Sequence, residues 1–168
     1  MTGIELLTDA FERIRSLGHA AVDGLTADQL NRPISPGANT VSWLVWHLIR
    51  IQDDHVAAVA ATPQRWTAGD WAERFDLPFG SRATGYGHSP EQVTQVRVAS
   101  PELLTGYLDD VTEATLAYLG TVAESDLDRV VDESYDPAVT LGVRLLSVVG
   151  DDLQHVGQAA FARGIISV

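Results

Sequence analysis

Residues 3 to 22 place Ile4, Leu7, Phe11, Ile14, Leu17 and Ala21 three and four positions apart, with charged residues between them. That spacing predicts an amphipathic helix with one apolar stripe. In "GLTADQLNRPI", Thr26 has Gln29 three residues on, a capping box followed by Pro33 and the breaker "SPGAN". It predicts a connector with one helical turn. Thr40 can cap a second helix running through "VSWLVWHLIRIQDDHVAAVA" to about Ala61 and ending before Pro63. This helix is long and unusually apolar. From 63 to 100 the periodicity lapses, and Trp66, Trp71, Phe75, Phe79 and Tyr86 gather among glycines and prolines. The segment is too aromatic for a disordered linker and predicts an ordered excursion with short helices near 68–75 and 90–96.

Helical punctuation returns in "SPELLTGYLDDVTEATLAYLG", with Ser100 as cap, Pro101 at the first helical position and Gly120 at the end. A connector containing "ESDLDRVVDESYDPAV" leads to a fourth helix, expected over roughly 139–163 and stopped by Gly164. Four long helices without a convincing strand predict an all-α four-helix bundle, with the aromatic excursion between helices two and three. "DQLNRPI" after helix one and "SDLDRVV" after helix three form a short internal echo, suggesting two related helical hairpins. Gly150, Gly157 and Gly164 recur every seven residues. Each interior one costs about 1 kcal/mol relative to Ala, so a close helix approach, or a flat homodimer contact, is the expected compensation.

The 168 residues fit one domain, 1–168, large enough to bury most of its apolar side chains. Apolar runs of about eight residues fall well short of the roughly 20 needed to span a bilayer, and the first residues carry no basic secretory signal. A cytoplasmic location is the default expectation. Twenty-three acids against 11 bases give a net charge of −12, which repels nucleic acid and anionic lipid. The chain has no cysteine, which excludes disulfides, thiolate metal ligands and a cysteine nucleophile. Any metal must be held by His, Asp or Glu. No P-loop, dinucleotide fingerprint or Ser-His-Asp order is present.

The polar residues that break the apolar pattern carry the candidate chemistry. In "SVVGDDLQHVGQAAFARG", Asp151 and His155 are four apart, about one turn along the same helical face, where they can converge on one ion or pair as a salt bridge. Asp152, three before His155, is the rival partner. His47 lies inside "WLVWHLI", where an imidazole stripped of water must be hydrogen-bonded in the core or ligate a metal. His55 is its rival; eight residues span about 12 Å of helix, so the two cannot share an ion. Asp53 and Asp54 are expected on a solvated rim, and Trp66, Trp71 and Phe75 as loop packing more than as a substrate wall. His88 in "GYGHSP" is expected exposed at a turn, and His19 at the end of helix one to favour the helix dipole.

A His near the start of helix two, preceded by Trp and apolar residues, with an acid, three spacers and His on helix four, resembles the DinB/YfiT-like superfamily of four-helix metalloproteins. "TVSWLVWHLIRIQDDHVA", "DPAVTLGVRL" and "DDLQHVGQAAFARG" are closer to an actinobacterial branch related to the N-terminal domain of mycothiol-dependent maleylpyruvate isomerase. The likeness spans nearly the whole chain. It implies a His47, Asp151, His155 metal site in the His, acid, His version of the motif. The second domain of the isomerase has no counterpart in this chain.

Two imidazoles and a carboxylate suit Zn²⁺ foremost, and also Ni²⁺, Mn²⁺ or Fe²⁺, and three protein ligands leave a coordination position open. The resemblance implies a metal-dependent transferase or isomerase in which the ion activates mycothiol or another low-molecular-weight thiol against a small-molecule electrophile. A hydrolase using bound hydroxide, and a non-catalytic stress or binding protein, are the other two expectations.

Overall fold

The computed structural model describes residues 1–167. Helix α1 (Gly3–Val22) begins at a capping box, with Thr2 Oγ1 accepting from Glu5 N and Glu5 reaching back to Thr2 N. Its buried stripe is Leu7, Phe11, Ile14, Gly18, Ala21 and Val22. Leu17, expected on that stripe, is largely exposed and Gly18 takes the inward position. A Cβ at Gly18 would lie 2.5 Å from Leu108 Cδ2, so the missing side chain admits a close neighbour where a leucine would not fit. One helical turn, α2 (Ala27–Leu30), follows with the Thr26/Gln29 capping box in place.

Helix α3 (Val41–Ala60) starts at Thr40, whose Oγ1 accepts from Trp43 N. Every residue from Val41 to Arg50 is buried. This explains its unbroken hydrophobicity: the bundle covers one side and the excursion covers the other. The excursion consists of α4 (Arg65–Ala68), α5 (Trp71–Phe75) and α6 (Pro90–Gln95), joined by loops. The helix expected near 68–75 is thus two short pieces, parted at Gly69 and Asp70, the latter in the left-handed region at φ 58°. Trp66, Trp71 and Phe75 are all buried, and all three rings pack around Tyr107, within 5.3–5.9 Å between centroids. They are packing residues, as expected.

Tyr107 belongs to α7 (Pro101–Leu119), which enters at Ser100–Pro101 and ends at Gly120. A short 3-10 turn, Glu124–Asp128, leads into strands β1 (Val130–Asp132) and β2 (Val139–Thr140), paired antiparallel with Val130 opposite Thr140. This small ladder corrects the expectation of no strand; its two strands, three and two residues long, are too short to carry a period of their own. Helix α8 then runs over Leu141–Ile166 and passes through Gly164 instead of stopping there. Added Cβ atoms at Gly150, Gly157 and Gly164 would meet nothing within 4 Å. Those glycines face open space, so the close helix approach expected of them is not what places them there.

The long helices α1, α3, α7 and α8 form the bundle, with α8 packed against both α1 and α3. The inward stripe of α8 is Leu141, Leu145, Val148, Val149, Asp152, Val156, Ala159, Ala162 and Ile166. Asp151 and His155 sit beside this stripe, on the flank toward α3. No helix among the described residues is long and apolar enough to cross a membrane.

Candidate metal centre

The structure brings His47, Asp151 and His155 together, each offering a ligand atom within 4.8 Å of the others. His47 is fully within the wall of the bundle, while the Asp151 and His155 side chains keep 35% and 17% exposure. The cluster therefore has a buried side and an open one.

Hydrogen bonding fixes which ring nitrogens are free. His47 Nδ1 lies 2.6 Å from the Thr84 carbonyl oxygen, which can only accept, so Nδ1 carries the hydrogen. Nε2 then holds a lone pair, and it faces Asp151 Oδ2 at 4.0 Å. In the same way His155 Nδ1 donates to the Asp151 carbonyl oxygen at 2.9 Å, freeing its Nε2. Asp151 Oδ2 is buried, 3.3 Å from His155 Nδ1, and has no partner in hydrogen-bond geometry. An imidazole lone pair opposite an unbonded carboxylate oxygen is two acceptors face to face. A cation between them resolves it.

The donor set passes the same test on chemistry. Zn–N and Zn–O bonds of about 2.0–2.2 Å hold two ligands of one ion within about 4.4 Å of each other, so small side-chain rotations bring this cluster to bonding distance. Burial holds the His47 imidazole below its usual pKa, against the opposing effect of the Thr84 carbonyl. It is thus neutral, the form that ligates. Burial pushes the Asp151 carboxyl up, but His155 and His47 outweigh that and hold it below the usual carboxylate range. The Asp151 carboxylate in turn raises His155, against burial.

Orientation comes from the excursion. Gly85, at φ +94°, lets the 80–88 loop cross directly over His47: a Cβ there would stand 2.8 Å from His47 Nδ1 and 3.0 Å from Trp46. The Trp43 indole stacks on a face of the His47 ring, centroids 4.6 Å apart and planes 13° apart. Hydrogen-bonded ring nitrogens of this kind set the tautomer and direction of a metal-ligating histidine. Neither Thr84 nor Gly85 is prominent in the sequence; the "GYG" turn between aromatic residues is the signal that could have found them.

The other candidates lie elsewhere. Asp152 is wholly buried inside the stripe with both carboxylate oxygens unpartnered, burial pushes its carboxyl pKa well up, and it is outside the cluster. His55 is half-buried two turns beyond His47. His88 is not exposed at its turn as expected: it is half-buried against Phe79 and Trp46, and its Nδ1 accepts from Trp43 Nε1 at 3.3 Å. His19 does more than favour its helix dipole, since its Nε2 lies 2.8 Å from Asp109 on α7.

Asp53 departs furthest from its expected place on a solvated rim. It is 3% exposed and accepts from Arg65 N, Trp66 N and Tyr107 Oη at 2.7–2.8 Å, beside Arg50 Nη1 at 3.4 Å. Arg50, fully buried, also donates to the Ala83 carbonyl, Tyr107 Oη and Gln64 Oε1. Asp54 is half-buried and takes a bond from Gln64 Nε2. A buried arginine in the run "HLIRIQDD" was the available signal for this network.

A helical bundle with a His, Asp, His cluster between its second and last long helices defines the class. Residues 10–159 match the model of the DinB superfamily, and the chain belongs to that family. A crystal structure of a conserved protein from Enterococcus faecalis is similar over 99% of this chain and 98% of that one, with a TM-score of 0.92 and 30% identity. A comparison with curated proteins gives no match.

Proposed function

We propose that the protein is a metal-dependent enzyme that activates a low-molecular-weight thiol for S-transfer or isomerisation, with His47, Asp151 and His155 as the ligands. The observation that carries this reading is the His47 Nε2 lone pair set against the unbonded Asp151 Oδ2 at 4.0 Å. A divalent ion held there, Zn²⁺ foremost, would supply Lewis acidity that lowers the pKa of a bound thiol or water. The thiol, mycothiol or one like it, is inferred from the likeness to the mycothiol-dependent isomerase. A chain without cysteine must take its sulfur nucleophile from outside.

The protein's own residues supply position and shielding. Thr84 holds His47 in one tautomer, Trp43 covers one face of its ring, and Asp151 brings a negative charge while keeping an open side through which small molecules enter. The test is to assay tag-free protein with a panel of thiols and an electrophile, before and after chelation and zinc return. Thiol consumption that needs both the metal and His155 is expected. Turnover without thiol would instead assign a hydrolase, and no metal-dependent turnover would overturn the reading.

A further inference from the structure

His55 is half-buried on α3, and among the described residues neither of its ring nitrogens has a hydrogen-bond partner. It lines a cleft of about 670 Å³ between α3, the start of α8 and the β1 ladder, together with Arg129, Arg144, Asp132 and Tyr135. That volume suits a small molecule. Two of the chain's 11 bases converge here in a protein of net charge −12. Asp132 is already engaged: its carboxylate accepts from Arg144 Nη2 at 2.7 Å and from Ser134 N and Oγ. The remaining guanidinium nitrogens of Arg144 and the exposed Arg129 have no carboxylate of their own, while Asp54 approaches His55 from its own helix.

The cleft is lined by none of the three cluster residues, but cleft and cluster are both built from α3 and α8. Arg144, Asp151 and His155 follow one another at helical spacing along α8, and seven residues separate Arg144 from Asp151, about 10 Å of helix. His55 lines the cleft two turns along α3 from His47; burial lowers its pKa, Arg144 acting in the same direction and Asp54 and Asp151 against it.

We propose that this cleft binds a carboxylate at the far end of the molecule whose thiol sits at His47, Asp151 and His155, with Arg144 supplying charge and His55 a hydrogen bond. The inference rests on the reading of a metal-bound low-molecular-weight thiol above and replaces mycothiol, which has no carboxylate, with another substrate class: an elongated thiol carrying an acid two helical turns from its sulfur. A planar guanidinium with free donors suits a carboxylate in a way that a neutral alcohol does not reproduce.

The experiment titrates cobalt-loaded protein with ω-mercaptoalkanoates from mercaptopropionate to mercaptodecanoate, and with the matching mercaptoalkanols, reading the sulfur-to-cobalt charge-transfer band. The expected result is an acid-over-alcohol preference of about tenfold or more at one intermediate chain length, the usual size of a charged hydrogen bond. Arg144→Gln reduces that ratio to within about twofold without removing the band; since Arg144 also holds the β1 ladder, His55→Leu serves as an independent second variant that lowers the same ratio. Equal affinity for acids and alcohols at every length, with the band present, would overturn the carboxylate subsite and leave the thiol reading standing. No band with either series would overturn both.

Discussion

Helix α3 carries two buried polar groups one turn apart that differ in how completely they are satisfied. Around Arg50 and Asp53 every strong donor and acceptor meets a partner: Tyr107, Gln64, the Ala83 carbonyl and the amides of Arg65 and Trp66 close the network on itself. Around His47 the bonding stops short, leaving Asp151 Oδ2 without a partner and facing a lone pair. Closed networks fix structure, and here the closed one pins the aromatic excursion onto the bundle. The open one leaves an imidazole lone pair and a carboxylate oxygen unmet beside solvent. Proximity in the sequence thus says little about role, and the count of unmet bonds says more.

Replacing members of each group should separate them, the largest effect coming from the closed network. Asp53→Ala leaves Arg50 buried beside an empty site and should cost about 3–5 kcal/mol, read by denaturant unfolding of the metal-free protein. His155→Ala should do the opposite, lowering zinc affinity by about 100-fold or more, beyond the range of an outer partner, while metal-free stability changes little. Calorimetric titration and a lost zinc-induced rise in Tm would show it. Gly85→Ala acts through position: the new Cβ collides with His47 Nδ1 and strains a positive φ, so zinc affinity should fall about 10- to 100-fold with the three ligands intact. The smallest effect belongs to Asp152→Val, which removes an unpartnered buried carboxyl and should raise metal-free stability at neutral pH by about 1–2 kcal/mol. Zinc affinity unchanged in that variant, and lost in Asp151→Ala, would distinguish the two neighbouring acids.

The long helices were legible because of a local signature: Thr40 at a cap, Pro101 at a first turn, and stripes at helical spacing. The errors fell where tertiary contact overrides that signature. Leu17 fits the periodicity of α1 better than Gly18 does, but only a glycine lets Leu108 come so near. Gly164 looks like a stop signal, yet α8 continues to Ile166. Strands of two and three residues have no period to detect. For the site, spacing could place Asp151 and His155 on one face, and the family resemblance added His47. The clamp on His47 went unread because it is a backbone carbonyl, whose partner no side chain records; only the neighbouring "GYG" turn hinted at a loop crossing there. Asp53 was misplaced on the rim because its partners come from α4 and α7, far along the chain.

The central claim is that one cation binds between α3 and α8 at the three gathered side chains. Anomalous diffraction on crystals of zinc-loaded, tag-free protein, with data on both sides of the zinc edge, tests it most directly. The account predicts a single strong peak within bonding distance of His47 Nε2, the Asp151 carboxylate and the His155 ring. A peak elsewhere, or none at this cluster under saturating zinc, would contradict it.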